Sequence, residues 1–300
     1  MKKHSLKEWF AVTRYWSFPV SAMPVVATFA YLCSQGQVDF AVKPIAVFLL
    51  CVLGVVTLHS AGNVLSDWSD HRSGVDNEES CPVPFLVHKQ FEPKEYLIFS
   101  ALLFVVGCGI GVAIVLLSTP KLLIVGGIGV LLTLAYSFLK YHALGDLDIF
   151  IIFGVLTVLG TGCALTGDFC WDALVLSLPL GIITVSVLHA NNTSDIESDR
   201  AAGIKTFAML IGGKASSILY QVYMVLPFLC IIAAVVLGRL HPLALIALVA
   251  VIPAWKNFRK AGTFGSKGIA AMEGLDLGSA QLQLVFSGLL SAGLLVAAFL

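Results

Sequence analysis

The sequence predicts an all-α integral membrane protein with nine transmembrane helices, and its composition and its patterning both support this. Only 12% of the 300 residues are charged and 58% are hydrophobic, which gives a mean hydropathy of +0.93. A soluble domain has about 25% charged residues, so this chain is solvated largely by lipid. Apolar runs long enough to cross about 30 Å of hydrocarbon also recur along its whole length.

The predicted spans follow one another without a low-complexity linker, so residues 1–300 are predicted to form a single transmembrane domain. The short sequence GRLHP (238–242) separates the seventh span from the eighth as a hairpin. Glycine-rich runs at 107–111 and 126–129 predict close packing between neighbouring helices. The nine spans are predicted at about 16–35, 41–65, 96–117, 121–139, 147–166, 172–190, 216–238, 240–255 and 277–300.

The orientation follows from Lys and Arg, which concentrate on the cytoplasmic side of membrane proteins. Of the 18 such residues, 15 lie in the N-terminal segment and in the loops near 66–95, 140–146, 191–215 and 256–276. Only Lys43, Lys121 and Arg239 lie on the opposite side. The N-terminus and these loops are therefore predicted to face the cytoplasm from the inner (cytoplasmic) membrane. The net charge of zero hides this polarity, and no nucleic-acid partner is predicted.

Two similar acidic stretches end apolar runs on this cytoplasmic side: NVLSDWSDHRSGVD (63–76) and NNTSDIESDR (191–200). Residues three or four apart share one face of a helix. His59 and the polar residues of the first stretch therefore share a stripe, and those of the second stretch form another. The shared-face oxygen ligands are Asn63, Asp67 and Asp70 in the first stretch, and Asn191, Asp195 and Asp199 in the second.

Clustered carboxylates repel one another at low dielectric, so a cation is expected between the two stretches. Oxygen-only ligands favour Mg²⁺, which binds one or two carboxylates together with waters and substrate phosphates. Each stretch taken alone is also compatible with a solvated loop, and each nearby base with the ordinary positive charge of a cytoplasmic loop. The bases that could contact a phosphate are Arg72, Lys140, Arg200 and Lys205.

Four segments resemble the UbiA superfamily of intramembrane prenyltransferases, which have nine helices and two Asp-rich cytoplasmic motifs. The second acidic stretch, extended to NNTSDIESDRAAGIKTFAMLIG (191–212), is very similar to the second motif. The first stretch is similar to the first motif, with Ser66 in place of an Asn and Trp68 in place of a Tyr. RYWSFPVSAMPV (14–25) and YSFLKYHALGDLDIFIIFG (136–154) are similar to the 1,4-dihydroxy-2-naphthoate prenyltransferase branch.

The resemblance implies helices around a central lipid-filled cavity, and it implies roles for individual residues. Tyr136 would lie near an allylic cation, and Asp146 or His142 would contact the acceptor. The implied catalytic residues are Asp67, Asp70, Asp195, Asp199, Tyr136 and Asp146. The implied metal ligands are Asn63, Asp67, Asp70, Asn191, Asp195 and Asp199, with Asp76 as a further candidate. The implied substrate-binding residues are Asn63, Arg72, Lys140, His142, Asn191, Arg200 and Lys205.

The implied activity is Mg²⁺-dependent transfer of a polyprenyl group from polyprenyl diphosphate to an aromatic acceptor, within membrane lipid. The closest branch implies 1,4-dihydroxy-2-naphthoate as the acceptor, with decarboxylation, in menaquinone biosynthesis. A different acceptor, such as 4-hydroxybenzoate or haem, is the main alternative. An ion-coupled transporter is a second alternative, which the sequence disfavours because the acids lie at helix ends rather than in mid-span.

Overall fold

The computed structural model describes residues 4–74 and 84–300, and this part of the chain contains helices, turns and loops but no β-strand. Nine helical segments of the described chain are long and apolar enough to cross a membrane, which confirms the predicted fold class. We number them α1 (Tyr15–Ser34), α2 (Val42–Ser73), α3 (Pro93–Leu117), α4 (Leu122–Tyr141), α5 (Gly145–Thr166), α6 (Trp171–Ser194), α7 (Gly213–Val236), α8 (Pro242–Ala271) and α9 (Leu275–Ala297).

The helix α2 continues into the first acidic stretch as far as Ser73, eight residues beyond the predicted end of its span at 65. The helix ends at Gly74, which adopts a left-handed conformation with φ 79° and ψ 10°. Glycine favours this position because it has no Cβ atom to clash with the backbone. Asp67 and Asp70 are therefore held on a rigid helix, whereas Asp76 lies outside the described residues.

The second acidic stretch has a different backbone, because α6 ends at Ser194 within it. Asp195, with φ −95° and ψ 8°, separates α6 from a short helix, Ile196–Ala201. The chain then turns at Gly203 and enters another short helix, Phe207–Ile211. The predicted hairpin at 238–242 is also present, since α7 ends at Val236 and α8 begins at Pro242.

The helices α1 and α6 are the most enclosed by their neighbours, and α9 carries buried polar side chains at every fourth position. One of them, Ser279, lies 2.8 Å from the Tyr220 hydroxyl of α7. Such hydrogen bonds hold helices together in lipid, where apolar contact alone gives little preference for protein over lipid. The buried polar positions of α9 are Ser279, Gln283, Ser287 and Ser291.

The helix α5 is irregular, with a π-helical segment over Phe150–Leu156 between two α-helical segments. Gly154 of α5 faces Gly181 of α6, and a Cβ atom on Gly154 would lie 3.0 Å from the Gly181 Cα atom. The two backbones can therefore approach closely only because both positions lack a side chain. This contact, together with that between Asp146 and His189, holds α5 against α6.

An apolar cavity of about 600 Å³ lies among α2, α3, α4 and α5. Its walls include Gly111, Gly126, Gly127 and Gly129, and no atom lies within 4 Å of the position that a Cβ atom would occupy on any of them. The prediction that the glycine-rich runs serve close helix packing is therefore wrong for these four positions. Gly107 does pack closely, against Leu58. The four glycines without a close neighbour that line the cavity instead widen it.

Candidate active site

Asp67 is fully buried near the C-terminal end of α2 and forms an ion pair with the Arg14 guanidinium. Arg14 follows a short helix, Leu6–Val12, whose Val12 belongs to the same hydrophobic cluster as Val64 of α2. Arg14 itself has a left-handed backbone, with φ 55° and ψ 49°, where the chain turns into α1. This turn brings a cation 53 residues away in sequence onto the first acidic stretch.

Asp70, one turn further along α2, is buried between two groups of α4. Its Oδ2 atom lies 3.1 Å from the Lys140 Nζ atom, and its Oδ1 atom accepts a 2.6 Å hydrogen bond from the Tyr141 hydroxyl. Lys140 is also buried, so this is a desolvated, hydrogen-bonded ion pair. Asn63, which precedes both aspartates on α2, lines the cavity. Its amide nitrogen donates a hydrogen bond to the Thr13 carbonyl at 3.1 Å.

The second stretch has no such cation among the described residues. The Asn191 side chain donates a 2.8 Å hydrogen bond to Asp195, and Asp199 is buried with its Oδ2 atom lacking any hydrogen-bond partner in the described chain. Burial raises the pKa of Asp195 to about 6 and that of Asp199 to about 7, although the positive charge of Lys140 opposes the increase. The negative charge of Asp70 also raises the pKa of both carboxyl groups. The two stretches therefore flank one polar space.

The donor atoms around this space fit Mg²⁺. The candidate ligand atoms are carboxylate and amide oxygens, and the Oδ2 atom of Asp199 is a buried acceptor without a donor in the described chain. Across residues 4–74 and 84–300, no three His, Cys, Asp or Glu side chains form a ready-made metal cluster. Mg²⁺ does not require one, because it uses one or two protein carboxylates and completes its shell with waters and phosphate oxygens.

The remaining predicted bases lie at the edge of the site. Arg72 is exposed, and its guanidinium lies 5.3 Å from the centre of the Trp68 ring. Arg200 and Lys205 are exposed as well. The Lys205 backbone N–H donates a 3.2 Å hydrogen bond to the Tyr141 carbonyl, which ties the loop after the second stretch to the end of α4. Lys140 is therefore the predicted base that the fold buries among the carboxylates.

Between α4 and the start of α5, the two residues predicted to contact the acceptor, His142 and Asp146, have different surroundings. His142 is exposed and directs its Nδ1 atom to the Phe138 carbonyl at 2.8 Å. Asp146 is buried, and its Oδ2 atom lies 2.7 Å from Nδ1 of His189 on α6. The other ring nitrogen of His189 lies 3.2 Å from the Ser216 carbonyl, so this pair joins α5, α6 and α7. Tyr136 lines the cavity.

Sequence reasoning assigned no role to Arg14, Asp148 or His189. Arg14 gave no signal, because its contact with Asp67 spans 53 residues. Asp148 and His189 each interrupt an apolar run, and an ionisable residue inside a membrane span is by default a functional candidate. Asp148 is buried, and neither of its carboxylate oxygens has a hydrogen-bond partner in the described part of the chain.

Comparison with known proteins agrees with this geometry. The model of the UbiA prenyltransferase family matches residues 21–261. The chain belongs to that family. It is 38% identical over 233 residues to UbiA prenyltransferase domain-containing protein 1 of Rattus norvegicus, a match that covers 72% of this chain and 64% of the rat protein. The homologue in Drosophila melanogaster is 36% identical over 232 residues, covering 74% of this chain and 63% of that protein. The chain thus spans just under two thirds of the length of these relatives.

Solved structures share the fold. A UbiA homologue from Archaeoglobus fulgidus, bound to GPP and Mg²⁺, has a TM-score of 0.69 at 10% identity, with coverage of 96% of this chain and 98% of that chain. The apo structure of a UbiA homologue from Aeropyrum pernix K1 has a TM-score of 0.68 at 19% identity, with coverage of 91% and 97%. The resemblance to the superfamily is confirmed at the level of the family. The curated relatives above do not distinguish the naphthoate branch within it.

Proposed function

We propose that this protein is a Mg²⁺-dependent prenyltransferase that moves a polyprenyl group from an allylic diphosphate to an aromatic acceptor. The observation that carries the proposal is the placement of two acidic stretches and a buried Lys140 at one end of an apolar cavity. A diphosphate needs the charged end of such a site, and an isoprenoid chain needs the apolar end. The GPP and Mg²⁺ bound to the Archaeoglobus homologue support this pairing.

The charged end would hold the leaving group. Asp67 and Asp70 of the first stretch, and Asp195 and Asp199 of the second, would hold Mg²⁺ together with the amide oxygens of Asn63 and Asn191. When bound, the metal neutralises the negative charge that grows on the departing diphosphate. Lys140 supplies a fixed positive charge beside the same oxygens. Arg72, Arg200 and Lys205, which are exposed around the rim, would contact the outer phosphate.

The apolar end would hold the prenyl chain and shield the reacting carbon. Ionisation of an allylic diphosphate produces a cation that water would trap, so the reaction requires a dry chamber. Tyr136, Phe153 and His59 line the cavity, and the His59 and Phe153 rings meet edge to face with centroids 5.0 Å apart. Aromatic faces stabilise a neighbouring cation. We assign this role to Tyr136, which also lies within electrostatic range of Lys140 and Asp70.

For the acceptor we propose 1,4-dihydroxy-2-naphthoate, prenylated with loss of its carboxylate as CO₂ in menaquinone biosynthesis. The similarity of 14–25, 136–154 and 191–212 to that branch supports this choice. An acceptor such as 4-hydroxybenzoate or haem is the alternative within the same family. We further propose that residues 1–300 form one transmembrane domain in the inner membrane, with the N-terminus and both acidic stretches in the cytoplasm.

The test supplies membranes that contain the protein with geranylgeranyl diphosphate and a panel of aromatic acceptors, including naphthoate labelled in its carboxyl group. Release of labelled CO₂ in step with prenylation supports the proposal. Preferred prenylation of 4-hydroxybenzoate with the carboxyl group retained would replace the naphthoate assignment. Membranes that contain the Asp67→Asn variant at an equal level provide the matched control for background activity.

A further inference from the structure

His59 supplies the only basic nitrogen among the described residues that line the apolar cavity. The wall also carries hydroxyl groups, but those of Thr133, Thr157 and Thr161 donate to carbonyls of their own helices. Their protons are therefore already used inside the fold. The imidazole ring of His59 is a candidate for direct contact with a polar group of a ligand in the cavity.

The position of His59 on α2 is between the first acidic stretch and the apolar wall. The positions of α2 that line the cavity run from Cys51 to Asn63. His59 lies one turn, about 6 Å, before Asn63 and two turns, about 12 Å, before Asp67. In the proposed reaction, the allylic carbon lies where the diphosphate of the donor meets its apolar chain. His59 therefore lies at the level of the cavity where this junction is expected.

A buried serine of α1 determines which ring nitrogen of His59 carries the proton. The His59 Nδ1 atom lies 3.0 Å from the Ser21 hydroxyl oxygen, and Ser21 is fully buried. The single hydroxyl proton of Ser21 is directed to the Phe18 carbonyl, 3.2 Å away, which can only accept. The Ser21 oxygen therefore accepts a hydrogen bond from Nδ1–H. In this neutral tautomer, the other ring nitrogen, Nε2, carries a lone pair.

The Nε2 atom of His59 is available to a ligand. It has no hydrogen-bond partner within residues 4–74 and 84–300, and, unlike the carboxylate oxygens of Asp148, it is not sealed from access. The side chain is partly exposed, and the space beside it is the cavity. The Phe153 ring contacts the imidazole edge to face, and with the Ser21 hydrogen bond it holds the imidazole in one orientation. The fold thus presents an acceptor nitrogen to the cavity.

Among the described residues, neither Asp146 nor His142, which the sequence suggested as acceptor contacts, lines the cavity. Asp146 is joined to His189, and His142 is exposed and directs its Nδ1 atom to Phe138. We propose that the Nε2 atom of His59 accepts a hydrogen bond from the ring hydroxyl of the aromatic acceptor and acts as the base of the reaction. This inference rests on the proposed prenyl transfer, which it deepens by naming the group that binds the acceptor.

The base takes part in a balanced reaction. The C–O bond of the allylic diphosphate breaks, and diphosphate leaves with both electrons. The ring carbon that bears the carboxylate forms a C–C bond with the allylic carbon, while the hydroxyl proton moves to Nε2 and the oxygen becomes a carbonyl. The bond to the carboxylate then breaks, its electrons return to the ring, and CO₂ leaves. The oxygen takes its proton back from Nε2, so the imidazole ends neutral.

The test compares His59→Asn and His59→Gln with the wild type. An Asn side chain keeps a donor toward Ser21 but removes the acceptor at Nε2. The kcat/KM for the acceptor should therefore decrease by at least about 100-fold, as is typical for loss of a general base. A Gln side chain reaches further and places an amide oxygen near the position of Nε2. Its activity should exceed that of His59→Asn by up to about 10-fold, because one hydrogen bond is restored.

Two comparisons accompany these variants. The KM for the allylic diphosphate should stay within about 2-fold of the wild-type value in both, because the acidic stretches and their bases are unchanged. His241→Asn is the matched control, since His241 is exposed and immediately precedes α8. Its side chain accepts a hydrogen bond from the Leu243 N–H, and Asn is also a favourable residue at this capping position. His241→Asn should match the wild type in kinetics and in melting temperature.

A second acceptor separates a catalytic role from a structural one. Methylation of the ring hydroxyl leaves no proton for Nε2. The wild type should react poorly with this methyl ether, and His59→Asn should react at a similar rate, because the interaction is already absent. A purely structural role of His59 would instead lower both reactions by the same factor. The melting temperature of His59→Asn in detergent should stay close to that of the wild type.

Three results would overturn the assignment: acceptor kinetics of His59→Asn like those of the wild type, equal losses toward the hydroxyl acceptor and its methyl ether, or strongly lowered melting temperatures for both variants at position 59. If the wild type prenylates none of the aromatic acceptors, the proposed function fails, and the role of His59 fails with it. An active wild type with an unaffected His59→Asn variant overturns the role of His59 alone.

Discussion

The two acidic stretches have similar sequences but different electrostatic surroundings. In the first, Asp67 pairs with Arg14, and Asp70 pairs with Lys140 and Tyr141, all on or beside one continuous helix. In the second, the helix breaks at Asp195, and burial raises the pKa values of Asp195 and Asp199 without an ion pair among the described residues. In the described part of the chain, the protein itself neutralises Asp67 and Asp70, whereas no cation pairs with Asp195 or Asp199.

This difference indicates how the site would assemble. A cation that arrives with a diphosphate is stabilised most beside the second stretch. There, Asp195 and Asp199 have no ion pair among the described residues. The first stretch contributes carboxylates that their ion pairs already hold in position. The paired bases, Arg14 and Lys140, can move from these carboxylates to phosphate oxygens. The experiments below challenge this contrast, beginning with the largest expected effect.

Removal of the metal should abolish prenyl transfer completely. A chelator should eliminate activity in membranes, and added Mg²⁺ should restore it, because the diphosphate cannot leave without charge neutralisation. The measurement is product formation before and after reconstitution with Mg²⁺. Activity that persists in chelator would contradict this difference between the two stretches, because the second stretch would then need no cation.

Loss of one carboxylate from either stretch should reduce turnover by at least about 100-fold, a factor typical for removal of one electrostatic contact in a transition state. Asp67→Asn and Asp195→Asn test one stretch each, with Asp172→Asn as the exposed control. Protein levels in the membrane should be unchanged. Near-normal turnover in one variant would show that only the other stretch serves the reaction.

The stability of the two stretches should respond in opposite directions. Lys140→Met leaves Asp70 buried without its cation and should lower the free energy of unfolding by about 3 kcal/mol. The double variant Lys140→Met/Asp70→Asn should recover most of this loss. Asp199→Asn should leave stability unchanged or raise it, because the carboxylate has an unsatisfied oxygen. Melting temperatures in detergent without metal provide the comparison, and a marked decrease for Asp199→Asn would contradict it.

Both stretches should face the cytoplasm, a prediction that involves no change in stability or activity. In a cysteine-free background, Glu197→Cys places a thiol at an exposed position of the second stretch. Asp172→Cys places a thiol at an exposed position at the other end of α6. An impermeant thiol reagent added to intact cells should label Asp172→Cys and spare Glu197→Cys. The reverse pattern would invert the proposed orientation.

The sequence alone determined the nine spans, the side with the positive loops and the two oxygen-rich stretches. Each of these depends on local properties: the length of an apolar run, the charge of a loop, or a spacing of three or four residues along one helix. The three- and four-residue spacing also placed Asn63, Asp67 and Asp70 on one face of α2. The spacing could not show that α2 stays helical to Ser73 whereas α6 ends at Ser194.

Only the tertiary structure decided which charges meet. Arg14 reaches Asp67 across 53 residues, Lys140 reaches Asp70 across 70, and His189 reaches Asp146 across 43. Such pairs depend on how helices pack, and nothing in the local pattern distinguishes Asp146, which is joined to α6, from Asp148, whose oxygens have no hydrogen-bond partner in the described chain. The glycines at 126, 127 and 129 show the same limit, because a missing side chain can bring two helices together or leave a space between them. The position of the neighbouring helix decides between these outcomes.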